Sequence, residues 1–167
     1  GRHILHHHGH CRTHCHVQWG RGRYPGVCIG FPCHVIFIEA AVDNSKPYRG
    51  HQVTLTYILY TQVDVSSFDD ELPKYKSFWT EELFSAKNLQ LREVQKNGSK
   101  YYAATIKKLA LFPTKSGKLI IDPLTAVIGI REKQQRWNDF SLFGPPSKKY
   151  TIATNRIELE VQPLPDR

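Results

Sequence analysis

The stretch that most constrains the fold of this chain is residues 107–125, KKLALFPTKSGKLIIDPLT. Two apolar runs, Leu109 to Phe112 and Leu119 to Ile121, flank a connection of Pro113, Thr114, Lys115, Ser116 and Gly117. Pro113 fixes its own φ and has no N–H to give to a central ladder, whereas Gly117 accepts a positive φ at no steric cost. A short connection containing Gly between two apolar runs reads as a hairpin or a corner between strands. Asp122-Pro123 then stops the second run. Punctuation this dense belongs to all-β domains. Lys107, Lys108, Lys115 and Lys118 are expected to keep the corner soluble.

The same reading extends along residues 35–165. Val35 to Ala41 opens as a β-rich strand, and Asp43-Asn44-Ser45-Lys46-Pro47 is a turn cluster. In QVTLTYILYT, residues 52–61, Val53, Leu55, Tyr57 and Leu59 alternate toward a core while Thr54, Thr56 and Tyr60 face away. Residues 68–73, FDDELP, read as a loop. KSFWTEELF, residues 76–84, fits a strand or a short helical turn, with Trp79 expected in the core. Asn97-Gly98 between Leu89–Lys96 and Lys100–Phe112 is a strong hairpin signal. Leu124 to Arg131 reads as a strand, residues 132–149 as a long loop, and Tyr150 to Val161 as one last strand ended by Pro163 and Pro165. About eight strands without an amphipathic helix favour an immunoglobulin-like, two-sheet antiparallel β-sandwich over a barrel.

Residues 1–34 differ in kind. They hold all four cysteines, eight of the nine histidines, four Arg, and no Lys, Asp or Glu. Cys thiolates and His imidazoles are the preferred ligands of zinc, so Cys11, Cys15, Cys28 and Cys33 are candidate metal ligands, with His14 or His16 in support. Their C-x3-C and C-x4-C spacings lie beside, not on, the C-x2-C pairs of zinc ribbons and fingers. Disulfides are the alternative for an exported protein. The abrupt compositional break at residue 34 favours a third reading, an extension outside the domain that is disordered or non-native. No initiator Met, no apolar leader and no Met at all are present, so the chain is expected to be a piece of a longer protein.

Charge excludes little. Net charge is +8, but residues 35–167 hold 19 basic and 15 acidic residues, and no Lys/Arg stripe with interleaved aromatics marks a nucleic-acid surface. Catalytic chemistry has little to build on. Residues 35–167 contain no Cys and a single His, His51, expected as a surface turn residue. Asp69, Asp70 and Glu71, and Glu81 with Glu82, lack the calcium-loop pattern and read as solvated acids. Trp137, Phe140 and Phe143 sit in the polar 132–149 loop, where exposed aromatics are costly unless they serve contact. They are the candidate partner-binding residues. A carbohydrate-binding sandwich, with Trp137 or tyrosines stacking on sugar rings, is the rival reading.

Four stretches resemble a known family: FIEAAVDNSKPYRGHQVTLTYILYT (37–61), FWTEEL (78–83), NGSKYYAATIKKLALFPTKSGKLIIDPL (97–124) and NRIELEVQPLP (155–165). They are similar to the BatD family, the aerotolerance or oxygen-tolerance proteins of Bacteroidetes and other bacteria. The resemblance implies one interior immunoglobulin-like domain among several on the periplasmic side of the inner membrane, in a parent protein anchored by a transmembrane helix. It also implies partners in the same envelope complex, namely von Willebrand A-domain and tetratricopeptide proteins, beside a MoxR-type ATPase. The family supplies no catalytic residues to carry over. The expectation is therefore a non-enzymatic protein-interaction module without cofactor. Residues 1–34 do not take part in the resemblance.

Overall fold

The computed structural model describes residues 35–131 and 147–165. The described residues are all β, in ten strands: β1 (Ile36–Val42), β2 (Val53–Thr61), β3 (Val65–Glu71), β4 (Phe78–Ser85), β5 (Arg92–Lys96), β6 (Ser99–Pro113), β7 (Gly117–Ile121), β8 (Thr125–Arg131), β9 (Ser147–Ala153) and β10 (Ile157–Val161). One sheet has five strands in the order β1-β2-β6-β4, with β5 also on β6; a second runs β3-β8-β9, and a third pairs β10 with β7. Every strand pair in them is antiparallel.

The organising strand is β6. It is long enough to take β2 along one edge and, along the other, β5 at its first half and β4 at its second. The Asn97-Gly98 turn brings β5 onto β6, with φ of 52° and 77° at its two residues. Both values are left-handed, as a two-residue turn that matches strand twist requires. At Pro113 the strand ends and the chain leaves the sheet. Thr114 N and its Oγ1 both donate to Ser77 O, at 2.9 and 3.0 Å, and Gly50 N donates to Pro113 O at 2.9 Å. Gly117 (φ 100°) then starts β7, which pairs with β10 and not with β6. The 107–125 stretch is thus a corner between sheets, not a hairpin.

The two smaller sheets are continuous with each other. Ile121 faces Ile157 and Thr125 faces Ala153, so β7–β10 pairing resumes as β8–β9 pairing without a slip of register. Asp122-Pro123 breaks one strand of this ribbon, and Thr154, Asn155 and Arg156 break the other. The break is sealed by hydrogen bonds: Thr154 N donates to Leu124 O (2.9 Å) and Leu124 N donates to Thr154 Oγ1 (3.0 Å). Asn155 reaches back to β1, where its Oδ1 accepts from Ala40 N (2.8 Å) and its Nδ2 donates to Ala40 O (3.0 Å). A side-chain amide thus pairs with the free edge of β1. Ser45–Arg49 lies along β10: Glu160 N donates to Ser45 O, Gln162 N to Pro47 O and Arg49 N to Gln162 O, with Tyr48 and Gln162 in parallel register.

One hydrophobic core joins the sheets. Ile36, Ile38, Val53, Leu55, Tyr57, Leu59, Leu109 and Leu111 from the large sheet pack with Ile121, Ile128, Ile130, Ile152 and Leu159 from the others. The alternation expected in β2 holds, since Val53, Leu55, Tyr57 and Leu59 are all fully buried.

Several expectations are corrected. Residues 68–71 belong to β3, because Phe68 packs on the core and Asp70 has an ion-pair partner. Residues 150–161 form two strands broken at Thr154, and residues 147–149 belong to β9 rather than to a loop. The described residues form ten strands where about eight were expected. KSFWTEELF resolves to strand β4.

Candidate interaction surface

Cys11, Cys15, Cys28, Cys33, Trp137, Phe140 and Phe143 lie outside the described residues. The structure fixes only where the 132–146 connection starts and ends, at the paired Arg131 and Ser147 of β8 and β9. His51 is exposed, its N–H donating to Tyr48 O (3.1 Å) and its ring edge-on to the Tyr48 ring at 5.6 Å. Among the described residues, no group of three or more His, Cys, Asp or Glu is placed to hold a metal. No helix there is long and apolar enough to cross a membrane.

Side chains with chemical or binding potential converge in two places. The first lies between the sheets. Tyr57, fully buried on β2, shares a hydroxyl–hydroxyl bond of 3.0 Å with Tyr75. Burial, reinforced by Tyr75 and Asp70, pushes the Tyr57 hydroxyl far above the usual phenol range. Burial likewise raises Tyr75, to about 12. Beside them Lys107 Nζ lies 2.8 Å from Asp70 Oδ2 and 3.9 Å from Glu82 Oε2. Lys107 is 8% exposed, so it is not one of the lysines that solvate the corner. Tyr57 faces Lys107 and Leu55 faces Leu109 in unbroken register, so Lys107 shares the buried face of Leu109 and Leu111, and a β-bulge at Ile106 follows only beyond it. Period-two counting back from Leu111 along KKLALF therefore places Lys107 inward; its charge alone makes it read as solvated. Asp70, expected to be solvated, is held on β3 against this lysine.

The second place is β4. It pairs with β6 on one side, and among the described residues no strand pairs with its other edge. Trp79 is 59% exposed, Leu83 49% and Phe84 45%. Trp79 is therefore not a core residue. It faces Phe112 across the strand pair, with ring centroids 5.2 Å apart and planes tilted by 47°. Leu83 is the extra residue of a second bulge, between Glu82 and Phe84. Sequence carried a signal for this: Glu81 and Glu82 are consecutive, so on a strand one must face the core side, and an edge that overhangs the core is where such a residue is tolerated.

Across β1, β2 and β6 the aromatics of the large sheet pack on one another. Phe37 stacks on Tyr60 (5.0 Å) and meets Tyr101 edge-on (5.4 Å), while Lys96 Nζ sits 4.5 Å above the Tyr60 ring and 2.7 Å from Glu39 Oε2. These aromatics are spent on each other. Those of β4 are not.

No family model, no curated protein and no solved structure matches this chain.

Proposed function

We propose that the chain is a non-enzymatic, immunoglobulin-like interaction module, and that β4 is its docking edge. The single observation carrying the reading is a strand that, among the described residues, is unpaired along one edge and presents Trp79, Leu83 and Phe84 to solvent. An extended segment of a partner protein adding to that edge gains main-chain hydrogen bonds from β4, and the exposed aromatics supply the anchors that set affinity. Glu81 and Glu82 guard the free chain against self-pairing, as charged residues do on natural edges.

The immunoglobulin-like part of the reading is supported by strand order. β1, β2, β6 and β4 stand in the order of the first sheet of such a sandwich, and β3, β8 and β9 in that of the second. The placement in a bacterial cell-envelope complex concerned with oxygen tolerance, on the periplasmic side, rests on the resemblance to BatD. It makes the von Willebrand A-domain and tetratricopeptide proteins of that complex the partners to test.

The test is partner capture by immobilised protein. Trp79→Ala with Phe84→Ala weakens capture at least tenfold and leaves the melting temperature unchanged. Trp137→Ala with Phe143→Ala, compared in the same assay, measures the contribution of the 132–146 connection. Equal capture by the β4 variant and the parent removes the edge from the reading. The exposed indole of Trp79 also suits stacking on a sugar ring, and titration with cell-wall glycans separates that reading from protein docking: saturable glycan binding lost in Trp79→Ala supports it, and a flat titration removes it.

A further inference from the structure

We propose that Lys107 and Asp70 form an intramolecular isopeptide bond that covalently joins the two layers of the domain, with Glu82 as the proton shuttle. The proposal does not depend on the docking role of β4. Lys107 stands on β6 of the five-stranded sheet and Asp70 on β3 of the three-stranded sheet, so the amine and the carboxyl are delivered by different rigid elements. They meet at 2.8 Å, with side chains only 11% and 20% exposed. The third group that amide formation needs is also there, Glu82 Oε2 at 3.9 Å from the same Nζ and more open to solvent.

Two physical arguments favour the bond over a permanent ion pair. Holding the two groups in contact replaces a bimolecular encounter with an effective concentration on the order of 10⁵ M or more. The product amide carries no charge, so the desolvation cost of two buried ions disappears on reaction. Fully buried Leu55 and Tyr57, with Leu109 on the same sheet, supply the apolar surroundings.

The step balances without a co-reactant. A proton passes from the Lys107 ammonium to the Asp70 carboxylate, giving amine and acid. The Nζ lone pair attacks Asp70 Cγ and the Nζ–Cγ bond forms. Glu82 takes a proton from the nitrogen and returns it to the departing hydroxyl, the Cγ–O bond breaks, and one water leaves. Ammonium plus carboxylate become amide plus water, and Glu82 ends in its starting state.

The experiment is intact mass of the folded full chain, measured after denaturation, with tryptic mapping. The proposal expects the mass to fall by one water in essentially every chain. It also expects a branched peptide pair joining Lys107 to Asp70. Lys107→Arg keeps the cation but has no primary amine, and it returns the full mass while circular dichroism shows the same β-rich fold. Glu82→Gln slows or abolishes the loss of water. Full mass in the parent chain, or a missing water traced to a linear peptide such as a succinimide, overturns the bond. A branched peptide that accumulates as fast in Glu82→Gln as in the parent overturns the shuttle role.

Discussion

Thr154→Val is a nearly isosteric test of how the ribbon of the second layer is built. Thr154 is 4% exposed and sits where β9 ends, and its Oγ1 accepts the N–H of Leu124 at 3.0 Å and donates to Asn155 O at 3.1 Å. Leu124 itself is fully buried. Valine keeps the shape but strands the Leu124 N–H away from water, and an unsatisfied buried donor costs about 1–3 kcal/mol. Thr154→Ser keeps the acceptor and loses one buried methyl, a cost of about 1 kcal/mol. A penalty of ~2 kcal/mol lowers the Tm of a domain this size by roughly 6–12 °C. Thermal melts followed by circular dichroism therefore rank the parent above Thr154→Ser and Thr154→Ser above Thr154→Val. A valine variant as stable as the serine variant refutes the idea that this hydrogen bond seals the break between β7–β10 and β8–β9.

Three further outcomes follow from the same geometry. Asn155→Asp cannot donate to Ala40 O and places a charge against the β1 edge, so it destabilises by about 2 kcal/mol or more in chemical denaturation, and more at pH 7 than at pH 3. Gly98→Ala puts a Cβ at φ 77° in the β5–β6 turn and costs about 1–2 kcal/mol, whereas Asn97→Gly (φ 52°) is close to neutral; denaturant midpoints with unchanged m-values check both. The raised Tyr75 hydroxyl stabilises the fold fully below its unfolded pKa near 10, and that contribution is lost as pH rises through its folded value of about 12. Denaturation midpoints taken from pH 9 to pH 12 fall accordingly, and Tyr57→Phe with Tyr75→Phe flattens the fall.

The parts of the fold that could be read from sequence are those with a strong local signal. The alternation of Val53, Leu55, Tyr57 and Leu59, the Asn97-Gly98 turn and the corner after Pro113 each follow from one residue's steric or hydropathic preference. Part of what is misread depends on non-local pairing. Asp69, Asp70 and Glu71 look like a loop because they are charged, yet β8 pairs with them and Lys107 neutralises one of them. Lys107 and Trp79 exchanged their expected environments, although alternation from a buried neighbour places both: Lys107 shares a face with Leu109 and Leu111, and Trp79 points away from the side on which Phe78 packs. The apolar alternation shifts phase across Thr154, from Tyr150 and Ile152 to Ile157, Leu159 and Val161, and that shift is the local mark of the break which a one-strand reading of Tyr150 to Val161 passes over. Of the candidate site, the aromatic content of FWTEELF and the consecutive Glu81-Glu82 were visible, but not that β4 ends the sheet, which non-local pairing sets.

The measurement that bears most directly on the proposed docking edge uses a von Willebrand A-domain protein of the kind that the resemblance to BatD implies as partner. It is titrated by calorimetry against the parent and against Leu83→Lys. A lysine at Leu83 adds a charge to the open edge without entering the core, since Leu83 is already 49% exposed. Saturable binding to the parent, at least tenfold weaker binding to Leu83→Lys and equal melting temperatures for the two are the expected result. Binding of equal strength to both proteins contradicts a docking role for β4.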